Sequence, residues 1–122
     1  MMNAEKDYEL IGRFIYGAGR LNFRLALMMD QMGKPIVLEA PSERIALAAS
    51  ARVTDAMFAR LPVSDGDKAQ FSALMQSLVT LGGQLDSLDR LSADDFADCA
   101  AGTASALDAL PRFAAIVDGL RA

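Results

Sequence analysis

Arg13, Arg20 and Arg24 are spaced by seven and four residues, so on a helix turning 100° per residue they fall within about 40° of one another. Lys6 and Gln31 lie alongside. Guanidinium groups pair with carboxylate and phosphate through parallel hydrogen bonds, so this stripe could contact an anionic group. The more ordinary role of such a stripe is a solvated outer face, neutralised by the chain's own excess of acid. By the same helical arithmetic Asn22 falls among Ile11, Ile15, Leu25 and Met29, where an amide must find hydrogen-bond partners. A buried asparagine more often sets helix register and less often holds a ligand. Ser50, Thr54 and Thr103 are its candidate partners, although small hydroxyls also satisfy themselves on their own helix backbone.

Other chemistries lack their residues. There is no histidine, which removes the usual general base and the usual metal ligand. Glu5, Glu9, Glu39 and Glu43 have no Glu-x-x-His companion of the di-iron kind. The Asp65-Gly66-Asp67 turn lacks the ligand series of a calcium loop. Asp94, Asp95 and Asp98 sit at a helix start, where the dipole alone accounts for carboxylates. Gly82-Gly83 follows no strand and belongs to neither phosphate-binding glycine pattern. Cys99 has no histidine to activate it and falls in a core heptad position, which makes it a buried thiol rather than a nucleophile. No catalytic residue, metal or cofactor is expected, and the chain reads as non-enzymatic.

The elements that carry these residues are helical throughout. The chain has 122 residues, 52% hydrophobic and 23% charged, enough for a core and the size of one domain spanning 1–122. Apolar residues recur at the helical period, and no stretch alternates as a strand would. A first helix is predicted from after Asn3 to near Met32, stopped by Gly33 and Lys34-Pro35. A second runs from Pro41 or Ser42 to Leu61, and a third from about Asp67 to Arg90 with Phe71, Leu74, Met75, Leu78, Leu81, Leu85 and Leu88 on one stripe. Ser92 caps a fourth, whose series Phe96, Cys99, Thr103, Ala106, Leu110, Phe113, Val117, Leu120 alternates threes and fours across Pro111. That register favours one kinked helix over a break before Pro111. The expected fold is all-α, a four-helix up-down-up-down bundle.

Two features point outward from such a bundle. Gly12 and Gly19 stand one heptad apart within the first helix, beside Tyr8, Ile15, Phe23 and Ala26, where each glycine costs roughly 0.8–1 kcal/mol relative to alanine. Close approach of another helix, internal or from a second subunit, would offset that cost. Ile36-Val37-Leu38 places three apolar residues in a connection, where they must be covered. With Ala48, Ala49, Ala56 and Ala59 on a second low-polarity side of helix two, the chain has more apolar helix surface than four helices need. The reading is a self-associating interaction protein, expected to form a homodimer, the commonest closed oligomer. The alternative is a module binding an apolar or anionic amphiphile in a cavity between helices, lined by Met29, Met57, Met75, Phe71 and Asn22. A net charge of -4 argues against nucleic acid as a partner. The polar residues interrupting Lys68 to Asp86 argue against a membrane span. One unpaired cysteine and a charged N-terminus without a signal-peptide apolar segment lead to an expected cytoplasmic location.

Overall fold

Residues 4–33 and 47–120 are described by a computed structural model. They form α1 (Ala4–Gln31), α2 (Leu47–Phe58), α3 (Asp65–Leu85) and α4 (Ala93–Leu120), with a single 3-10 turn at Leu88–Arg90. Among the described residues there is no strand, and the helices pack as a four-helix bundle. Pro41 and Ser42, the expected start of the second helix, and the Ile36-Val37-Leu38 triplet lie outside the described residues.

The helix limits follow local chemistry. The Ser64 hydroxyl accepts a hydrogen bond from the Asp67 amide at 3.1 Å, so α3 begins at Asp65, two residues before the sequence estimate. It ends at Leu85 rather than Arg90, just after the Gly82-Gly83 pair that weakens it. Ser92 and Asp95 cap α4 reciprocally, each amide donating to the other's side chain, at 2.9 and 3.2 Å. α4 then continues as one helix through Pro111.

Helix direction is readable from which residues meet. Gly82 approaches Ala48 and Ser72 bonds to Asp55, so α3 runs antiparallel to α2. Gly102 approaches Leu81 and Arg112 reaches Gln70 and Asp67, so α4 runs antiparallel to α3. Across α1 and α4 the numbers rise together: residues 10–20 face 97–107, and residues 20–31 face 107–114. α1 is therefore parallel to α4 and α2, and strict alternation holds only from α2 onward.

One apolar cluster joins the four helices, with Phe14, Leu21, Leu25 and Met28 from α1 meeting Ala51, Phe58, Phe71, Met75, Leu78, Leu110, Phe113 and Val117. Its centre is aromatic. Phe58 stacks on Phe71 with centroids 4.2 Å apart, and Phe113 meets both edge-on at 5.9 and 5.1 Å. Arg112 covers this end from outside, 4.7 Å above the Phe113 ring, while its guanidinium donates to Asp67 at 2.6 Å and Gln70 at 2.7 Å.

Candidate functional site

α1 is apolar on two opposite sides. Phe14, Ala18, Leu21, Leu25 and Met28 face the core. Turned about 160–180° away from Leu21 lie Gly12, Gly19 and Phe23. This outer side carries Tyr8, Tyr16 and Phe23, exposed by 76%, 70% and 64%, together with exposed Ile15 and Leu27. A Cβ added to Gly12 or to Gly19 would meet nothing within 4 Å. Neither glycine has a close neighbour among the described residues. Around Gly19 the side chains of Ile15, Tyr16, Arg20, Phe23 and Arg24 enclose a shallow notch.

The close contact within the fold belongs to a different glycine. A Cβ on Gly17 would stand 2.7 Å from the Thr103 Oγ1 and 2.9 Å from its Cβ, so α1 meets α4 through a residue without a side chain. Gly82 plays the corresponding part against α2, where a Cβ would come within 2.8 Å of the Ala48 backbone nitrogen. Both glycines are buried.

Arg13, Arg20 and Arg24 share one edge of the groove between α1 and α4, as their spacing implied. Arg13 is exposed and ion-paired to Glu9 on its own helix. The groove is shallow along Ala97, Ala100, Ala101 and Ala104. It deepens to a cleft of about 220 Å³ lined by Arg20, Arg24, Leu27, Met28, Gln31, Leu107, Asp108, Leu110, Pro111 and Ala114.

Asn22 corrects the sequence reading. The core side of α1 is turned toward Leu21 and Leu25, which leaves Asn22 half-buried and Ile15 exposed. With apolar residues on both sides of α1, the sequence pattern alone could not fix which side turns inward. Ser50, Thr54 and Thr103 are buried, and two of their hydroxyls serve their own helices. Thr54 donates to the Ser50 carbonyl at 2.6 Å and Thr103 to the Ala100 carbonyl at 2.9 Å. Met29, Met75 and Phe71 belong to the buried core cluster, with Met57 packed against it. Cys99 is buried, and burial, with the charges of Asp95 and Asp98 adding to it, pushes its thiol pKa above the ordinary value of 9.0. The thiol is held neutral and away from solvent, the opposite of an activated nucleophile.

Among the described residues no group of three or more Cys, Asp or Glu side chains is arranged to hold a metal ion, and no helix is long and apolar enough to cross a membrane. No protein-family model, curated protein or solved structure gives a significant match to this chain.

Proposed function

We propose that this chain is a non-enzymatic interaction protein that self-associates as a homodimer through the outer side of α1, in a cytoplasmic setting. The observation that carries the reading is the pair of glycines open to solvent, Gly12 and Gly19, within a row of exposed aromatic and aliphatic side chains. Two glycines in a helix interior cost roughly 1.6–2 kcal/mol together, and nothing among the described residues uses the space they make. A contact from outside uses it.

The surface suits a second copy because it is self-complementary. In an antiparallel pair of α1 helices related by a two-fold axis between positions 17 and 18, Phe23 faces the partner's Gly12 and Tyr16 faces the partner's Gly19. Tyr8 then faces the partner's Leu27. Each glycine gap receives a ring from the partner. From Tyr8 to Leu27 the stripe is about 28 Å long at 1.5 Å per residue, and with a helix width of about 10 Å its footprint approaches 300 Å². The largest apolar patch on a typical monomer is of this size and is often functional, and a two-fold interface uses the same patch twice.

Size-exclusion chromatography with light scattering tests the reading on Phe23→Glu and, as a control, Val53→Glu on the exposed side of α2. Phe23→Glu is expected to yield monomers while Val53→Glu remains dimeric. Equal behaviour of the two variants would overturn the assignment to α1.

A further inference from the structure

The deep end of the α1/α4 groove carries Gln31 and Pro111, which self-association through the outer side of α1 does not use, beside Arg20, Arg24 and Leu27, which border both surfaces. Arg20 and Arg24 line the cleft, and among the described residues neither is ion-paired to a carboxylate. The Gln31 amide oxygen is buried in the same cleft and has no hydrogen-bond partner among the described residues. Pro111, on the opposite wall, has no N–H to offer the Leu107 carbonyl, so α4 lacks one backbone bond where it borders the cavity. Leu27, Met28, Leu110 and Ala114 supply apolar surface between these polar points.

A buried acceptor without a donor costs free energy, and a cleft that gathers two cations, an orphan acceptor and an apolar wall has the composition of a ligand site. We propose that this cleft binds a medium-chain carboxylic acid bearing a hydrogen-bond donor at its far end. The carboxylate sits between Arg20 and Arg24, where charge-assisted hydrogen bonds are strongest. Asp108 at the rim limits the site to a single negative charge. Gln31 lies seven residues beyond Arg24 on α1, about 10.5 Å along the axis, so the donor that satisfies its oxygen belongs at the opposite end of an extended chain. A volume of about 220 Å³ is below the roughly 300–1,000 Å³ of drug-sized clefts and selects a slender ligand.

The test is isothermal titration calorimetry of the full chain with 8-hydroxyoctanoate, octanoate and 1,8-octanediol. The hydroxy acid is expected to bind about three- to tenfold more tightly than octanoate, the return on one hydrogen bond. The diol, lacking the charge, is expected to bind at least about tenfold more weakly than the hydroxy acid. Gln31→Leu should erase the preference for the hydroxyl while keeping octanoate binding, and Arg24→Gln should weaken both acids. Arg13→Gln, outside the cleft, should change nothing. Binding of the diol as tight as that of the hydroxy acid, a hydroxyl preference that survives Gln31→Leu, or no heat from either acid would overturn the proposal. Light scattering on the same variants separates this outcome from that of the dimer, since the cleft proposal expects Gln31→Leu to keep the wild-type mass.

Discussion

Replacing Gly12 and Gly19 by alanine separates what the fold requires from what a partner requires. In the isolated chain each new methyl meets nothing within 4 Å among the described residues, so helix propensity acts and each substitution is expected to stabilise by about 0.8–1 kcal/mol. Together they should raise the midpoint of thermal unfolding by about 5–10 °C, at about 3–5 °C per kcal/mol for a chain of this size. In the proposed dimer the same methyls would fill the gaps that receive Phe23 and Tyr16. Overpacking a fitted contact typically costs about 1–3 kcal/mol, and even the lower end weakens association about fivefold or more. The double variant should therefore unfold at higher temperature when dilute and self-associate less when concentrated, as read by circular dichroism and sedimentation. Lower stability in the dilute state would mean that an internal neighbour already fills those gaps. Undiminished association would mean that they are not where a partner sits.

The buried glycines should respond in the opposite sense: Gly17→Ala is expected to destabilise by about 1–3 kcal/mol in urea unfolding, and adding Thr103→Ala, which removes the atoms 2.7 and 2.9 Å away, should recover most of the loss. Gly82→Ala should destabilise and Gly83→Ala stabilise, because a Cβ at Gly82 meets the Ala48 backbone and one at Gly83 meets nothing within 4 Å. Phe71→Ala removes the ring shared by both aromatic neighbours and should cost about 3–5 kcal/mol by the same measurement. For Cys99, whose thiol pKa is raised in the fold, stability should be independent of this group below the ordinary value of 9.0. It should fall as pH rises above that value, because the unfolded chain's thiol ionises first. Cys99→Ala should remove that part of the slope in unfolding measured across alkaline pH.

The four helices were legible because each signal was local: a Ser64 or Ser92 cap, a stop at Gly33, and the heptad of α4, in which Phe96 through Val117 are all buried as spaced. The arginine stripe was legible for the same reason, since spacing on one helix fixes a shared face. Its opposite wall was not, because Leu107, Asp108 and Pro111 reach Arg20 and Arg24 only when α1 runs parallel to α4, and direction depends on the connection between α1 and α2. α1 itself was ambiguous. With Leu21 and Leu25 on one side and Ile15 and Phe23 on the other, periodicity gives two apolar stripes and does not rank them. Glycine spacing drew attention to Gly12 and Gly19, yet the tight internal contact is at Gly17, where the signal lies in Thr103 on another helix.

The most direct test of self-association is sedimentation equilibrium of the unmodified chain across a wide range of concentration. The account predicts a mass that rises with concentration to twice the 13.0 kDa of one chain. A mass that stays at the single-chain value at the highest concentration would contradict it.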